Sequence, residues 1–176
     1  GLFAYLIGAS FVLVDGLGMS ELHFGLSFSG ASVAFMGGAF LGSRIVRGLG
    51  IERMCLIGTS FTAFAGILIF SLIWGGYITP VSVILPPVIY FFGMGLSQPN
   101  IQAGAISPFP HMAGAAAALL GLAQYISAGL FSVIVGVFAF DPTLLMASVM
   151  GASGVFAFVI FTTMIWLPLR RSGRPD

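Results

Sequence analysis

The sequence predicts an all-α polytopic membrane bundle of six transmembrane helices. Three observations carry that expectation. The chain is 59% hydrophobic and only 6% charged, with a mean hydropathy of +1.12, whereas soluble domains are about 25% charged. Its apolar runs are long and separated by short polar breaks, which is the pattern of membrane-spanning helices. The alternating segments of about ten residues that a transmembrane β-barrel requires are absent.

The first apolar segment, Leu2 to Val14, is short of the roughly 20 residues that a span needs. It follows Gly1 directly, with no basic region or cleavage signal. The expectation is a chain that begins inside a helix and is a fragment of something longer. The polar stretch Asp15 to Gly25 follows. The second segment, Leu26 to Ser43, ends at SRIVRGLGIER, and the third runs from Met54 to Trp74, with GGYITP after it. The fourth is Val81 to Ala105, the fifth Met112 to Phe140 and the sixth Leu144 to Leu169. Short connections make neighbours antiparallel hairpins. Six spans form one bundle, read as two three-helix repeats of inverted topology.

Charge placement orients the bundle. All six basic residues are arginine. Arg44, Arg47 and Arg53 fall between spans two and three, and Arg170, Arg171 and Arg174 follow span six. His111 joins them on that side. Asp15, Glu21 and Asp141 fall in the opposite connections. The positive-inside rule puts the arginines, and with them the C-terminal tail, in the cytoplasm.

Several groups of residues are candidates for function. Gly30, Ala34, Gly38 and Gly42 recur every four residues, so one small residue per turn lets a neighbouring helix approach. Gly114, Ala118 and Gly121 repeat the device in the fifth span. Plain helix packing accounts for both, and sliding of helices during alternating access is the functional variant. Pro86, Pro87 and Pro99 remove backbone donors from the fourth span, predicting kinks, with Gly93 and Gly95 between them. The readings are a static kink or a gate. Ser97, Gln98, Asn100 and Gln102 gather at the cytoplasmic end of that helix, and Gln124 lies about halfway down the next, beside Tyr125. An amide at such depth bonds a neighbouring helix or lines a substrate cavity. The expected cavity residues are Tyr5, Gln98, Asn100, Gln124 and Tyr125, on the first, fourth and fifth spans. Spans three and six are expected to face lipid. The arginine loop is topogenic, and its cations also suit helix C-termini, where they would latch a closed state.

Enzymatic signals are missing. His23 and His111 lie on opposite sides of the bundle, so no shared metal is expected. The one cysteine, Cys55, excludes an internal disulfide. HExxH, GxSxG and phosphate-binding loops are absent, no cofactor is expected, and no basic, aromatic-laced tract points to nucleic acid. No span carries an ionisable residue in its middle third, which proton-coupled pumps need.

The segment PFPHMAGAAAALLGLAQY, Pro108 to Tyr125, resembles the loop and eleventh helix of the major facilitator superfamily in its Bcr/CflA drug-resistance subfamily. Pro110, Ala113, Gly114, Leu119, Gly121 and Gln124 carry the likeness. GSRIVRGLGIERM, Gly42 to Met54, resembles that family's loop between helices eight and nine. Ala115, Ala116 and Ala117 depart from the small hydroxyl residues frequent there, which removes hydroxyl contacts while keeping the packing role. The resemblance implies the C-terminal half of a 12-helix transporter, helices seven to twelve, with the seventh truncated and the N-terminal six-helix half missing. It implies an inner-membrane exporter of a small-molecule drug or metabolite in exchange for protons, with the coupling acids in the missing half. Two other functions fit the same residues: a facilitator exporting a sugar or other metabolite, and a non-catalytic helical subunit of a membrane complex.

Overall fold

The computed structural model describes residues 1–137 and 141–168. The arginines Arg170, Arg171 and Arg174, Phe140 and Leu169 lie outside the described residues. Six helices follow in order, with no strand among the described residues. They are α1 (Leu2–Ser10), continued by a π-helical turn (Phe11–Gly16), α2 (Glu21–Leu49), α3 (Ile51–Trp74), α4 (Pro80–Ile106), α5 (Ala113–Val137) and α6 (Pro142–Ile160). A second π-helical turn, Phe161–Trp166, extends α6. Five of these stretches are long and apolar enough to cross a membrane, and Leu2–Gly16 is a shorter apolar helix.

Helix starts follow capping chemistry. Ser20 caps α2, its side chain accepting from the His23 N–H. Thr79 and Ser82 form a reciprocal capping box on α4, with Pro80 in the first turn, and the Ser82 hydroxyl also donates to the Tyr77 carbonyl at 2.6 Å. Asp141 caps α6 by accepting from the Thr143 N–H at 2.8 Å. Each cap satisfies donors that the helix itself leaves orphaned.

The connection between spans two and three differs from the expected loop. α2 has 29 residues and is roughly 43 Å long, longer than the roughly 30 Å of hydrocarbon. It carries Arg44 and Arg47 as helical residues. Arg53 sits in the first turn of α3, beside Glu52. Only Gly50 separates the helices, at φ 81° and ψ 157°. That conformation is open essentially to glycine alone. Gly50→Ala is therefore expected to destabilise the bundle by about 1–3 kcal/mol, read as a lower unfolding midpoint in detergent.

Packing arranges the helices as a chain of neighbours: α2 on α4, α4 on α3, α3 on α6, α6 on α1, with α5 touching α1 and α4 only lightly. Exchanging α1 with α4, α2 with α5 and α3 with α6 reverses this order onto itself. That is the order an inverted repeat of two three-helix units would have, except that α5 does not pack on α1 as α2 packs on α4. The core lies where α1, α3, α4 and α6 meet, around Tyr5, Leu13, Ile69, Val83, Phe91, Met146 and Met150.

Span three is not simply lipid-facing. Its small residues Gly58, Thr62, Ala65 and Gly66 are buried, while Phe61, Phe64, Ile67 and Phe70 point outward. The separation of small from bulky side chains lets α3 serve as the spine between α4 and α6 while still presenting bulk to lipid.

Candidate functional site

The site is built around α4, which is held on two sides by backbone contacts. A Cβ at Gly93 would lie 2.7 Å from the Gly58 carbonyl oxygen of α3, and one at Gly58 would lie 2.7 Å from the Gly93 carbonyl oxygen. On the opposite flank Gly95 faces the Phe35 carbonyl, and Gly38 of α2 faces that of Phe92. Gly93 and Gly95 therefore serve as close-approach points, and α4 is continuous helix through Pro86, Pro87 and Pro99. Pro86 and Pro87 are buried, whereas Pro99 is exposed.

One turn further along α4, polar groups fold back on their own helix. Ser97 Oγ donates to the Gly93 carbonyl at 3.0 Å, and Asn100 Nδ2 donates to that of Leu96 at 2.7 Å. Asn100 thereby reaches a cavity of about 630 Å³ between the start of α3 and the ends of α4 and α6, with Glu52, Cys55, Thr59, Gly104 and Phe161 among its walls. The cavity-lining residues of α3 were not among the sequence candidates. Their signal was the one-turn spacing of Cys55 and Thr59 on a small-residue face. A second cavity, of about 420 Å³, lies at the acidic end between Phe11, Asp15 and Leu17, Ile78 and Pro142. It is where the helix exchange of the inverted repeat carries the first. Deeper in the core, the Tyr90 hydroxyl and Ser153 Oγ are 3.1 Å apart, joining α4 to α6.

The sequence candidates for substrate contact do not converge on one cavity within this chain. Tyr5 is completely buried in the core, edge-on to Phe91 with ring centroids 5.6 Å apart. Its hydroxyl has no hydrogen-bond partner among the described residues. Asn100 is buried, and Gln98 is half-buried on another face of α4. Gln124 and Tyr125 are exposed on α5, a helix with no buried residue among those described.

The small-residue stripes divide in the same way. Gly38 and Gly42 pack on α4, Gly42 lying where a Cβ would be 3.3 Å from the Leu96 carbonyl oxygen. The packed face continues through Phe35 to Ala31, and not to Gly30, which faces open space. Ala34 is half-buried beside it. Gly114 and Gly121 also meet nothing within 4 Å, and Ala118 is exposed. Of the arginines on the connection, Arg44 lies over the Phe40 ring, 4.7 Å from its centroid.

Comparison with known proteins converges on one class. The chain is 32% identical over 107 residues to Multidrug resistance protein D of Escherichia coli (strain K12), covering 60% of this chain and 25% of that protein. It is 31% identical over 140 residues to the uncharacterized MFS-type transporter YdgK of Bacillus subtilis (strain 168), covering 78% and 34% respectively. It is 27% identical over 163 residues to a bicyclomycin resistance protein homolog of Haemophilus influenzae, covering 92% and 40%. The chain thus spans between a quarter and two fifths of the length of these relatives. No family model and no solved structure matches it. An all-helical bundle of apolar spans, 31% identical over 78% of its length to an MFS-type transporter, places this chain in the major facilitator superfamily, in its Bcr/CflA type.

Proposed function

We propose that the chain is the C-terminal six-helix half of a proton-coupled multidrug or metabolite efflux transporter, exchanging its substrate for protons by alternating access. The observation that carries the reading is the open face of α5. This helix is apolar enough to span a membrane, yet none of its described residues is buried, and its glycines Gly114 and Gly121 face open space. Small-residue faces in membranes serve close helix contact. A second six-helix half seated on α5 and on the Gly30 side of α2 would use both. The relatives are long enough to hold such a half.

In this reading the substrate site lies at the seam between halves, near the midplane. Gln124 and Tyr125 on the open face of α5 would meet the substrate, with Tyr5 and Gln98 contributing from α1 and α4, whereas Asn100, turned into the cavity between α3, α4 and α6, would not. The described spans carry no acid in their middle third, so proton coupling would rest on the other half. The protein would sit in the inner membrane, with Arg44, Arg47, Arg53 and the C-terminal tail in the cytoplasm.

Full-length protein in vesicles tests the proposal. Efflux should follow an imposed pH gradient, and indifference to the gradient would remove antiport in favour of a facilitator. Gln124→Ala should raise KM roughly two- to tenfold, the worth of one hydrogen bond to substrate, without shifting the unfolding midpoint. An unchanged KM and substrate profile would remove Gln124 from the site.

A further inference from the structure

The cavity between α3, α4 and α6 has walls that discriminate among possible occupants. Its mouth is formed by four isoleucines, Ile51, Ile101, Ile160 and Ile165, which are 38–43% exposed. Its floor is formed by Cys55, Thr59 and Phe161, all buried.

Most polar groups in the walls are turned back onto their own helices. Thr59 Oγ1 donates into its own helix, with the Cys55 carbonyl at 2.8 Å and that of Leu56 at 3.1 Å. Asn100 Nδ2 gives one of its two N–H groups to the Leu96 carbonyl. Ser107 Oγ donates to the Gly104 carbonyl at 3.1 Å, and the Cys55 thiol is directed at the Ser97 carbonyl, 3.9 Å away. The one charged wall residue, Glu52, stands in the first turn of α3, where a carboxylate suits the helix dipole. A polar drug would find few partners on these walls beyond Glu52 at the rim and Asn100. Water needs two to four polar partners, and the floor of Cys55, Thr59 and Phe161 offers few.

We propose that this cavity holds an acyl chain of a membrane phospholipid from the leaflet on the arginine side. Size and depth agree with that occupant. At about 630 Å³ the cavity is roughly four times the ~150 Å³ apolar void that takes up benzene. Left empty, its walls would forfeit dispersion contacts on that whole surface. From Ile51 to Thr59 is eight residues of helix, roughly 12 Å along the axis. A leaflet's hydrocarbon is about 15 Å deep, half of the bilayer core. The arginine-bearing ends of α2 and α3 mark this as the end of the spans near a headgroup layer. The mouth therefore runs from Ile51 at the headgroup end to Ile101 and Ile160 on the flanks of the spans, where a lipid tail from the same leaflet can enter from the side. A seated tail would fill the space between the spine helix α3 and the ends of α4 and α6.

The experiment uses full-length protein in liposomes containing a phosphatidylcholine with a diazirine-bearing acyl chain. After photolysis, carbene adducts are mapped by mass spectrometry. Adducts are expected at Thr59 and Phe161, and also at outward-facing Phe64, which serves as the control for insertion in the bilayer. Gly104→Leu has room for its Cβ, whose nearest neighbour would be Ile51 Cγ2 at 3.9 Å, and fills the cavity from one wall. Ala157→Phe fills it from another. Either variant should abolish the floor adducts while keeping those at Phe64. The proposal is overturned by any of three results: Phe64 labelled with the floor unlabelled, floor adducts that persist in both variants, or alkylation of Cys55 by a membrane-impermeant maleimide as fast as that of an exposed cysteine, which would make the cavity aqueous. Loss of floor adducts on adding a transported drug, with Phe64 still labelled, would also overturn it by making the cavity a drug site.

Discussion

Gly93→Ala is expected to destabilise the bundle by about 1–3 kcal/mol, and Gly93→Leu to prevent its assembly. Two effects oppose each other at this position. Alanine in place of glycine inside a helix gains up to about 1 kcal/mol in propensity. The new Cβ, however, would stand 2.7 Å from the Gly58 carbonyl oxygen and 2.9 Å from the Thr62 amide nitrogen. Both are backbone atoms of a helix that is itself packed on α6, so neither can turn aside as a side-chain tip would, and the steric term wins. Gly121→Ala provides the contrast. Nothing lies within 4 Å of that site in this chain, so only the propensity gain applies, about 0.5–1 kcal/mol in favour of the variant. In the full-length protein, where a second half is proposed to cover α5, the same substitution should become destabilising. Unfolding midpoints in detergent, compared between the 176-residue chain and the full-length protein, check both signs. A stabilised Gly93→Ala would show that α3 and α4 do not cross where these glycines place them. A Gly121→Ala variant that gains stability in both forms would leave α5 without a proposed partner.

The second large effect is expected at Tyr5, where stability and transport should move in opposite directions. Its ring is fully buried, and its hydroxyl lacks a partner among the described residues. An unsatisfied buried hydroxyl costs about 1–3 kcal/mol. Tyr5→Phe removes that cost while keeping the edge-to-face contact with Phe91, so the variant should unfold later by about that amount. If the proposed substrate role holds, the hydroxyl finds its partner in the transported molecule once α1 and α4 separate, and Tyr5→Phe should raise KM in vesicle efflux. A more stable variant with unchanged KM would assign Tyr5 to the core alone. A less stable one would mean that the hydroxyl is bonded in the resting protein.

The spans were legible because hydrocarbon thickness imposes a length and a composition on any helix that crosses it. Five of the six segments read from hydropathy coincide with long apolar helices, and the first is the shorter helix Leu2–Gly16. The connection from Gly42 to Met54 was harder. Arginines and glycines resemble loop sequence, yet nothing in them forbids a helix outside the hydrocarbon, and one glycine at φ 81° suffices to reverse the chain. The stripe from Gly30 to Gly42 shows a different limit. Each four-residue step overshoots a 3.6-residue turn by about 40°, so three steps carry Gly30 about 120° away from Gly42. The packed face instead follows Ala31, Phe35, Gly38 and Gly42, whose spacing keeps to one side.

Composition and hydropathy alone were enough for a six-segment helical membrane bundle, and the residues of the Pro108 to Tyr125 motif carried the resemblance to a drug-resistance family. These follow from solvation of whole helices and from a local motif. Which side of each helix is buried depended on the packing of distant segments. It is there that Gly58 meets Gly93, that Tyr5 turns into the core, that Gln124 stays on an open face, and that Cys55, Thr59 and Asn100 come to share a cavity. Each arrangement depends on helix rotation, and a rotation of a few tens of degrees costs a helix nothing until a neighbour is there to be met.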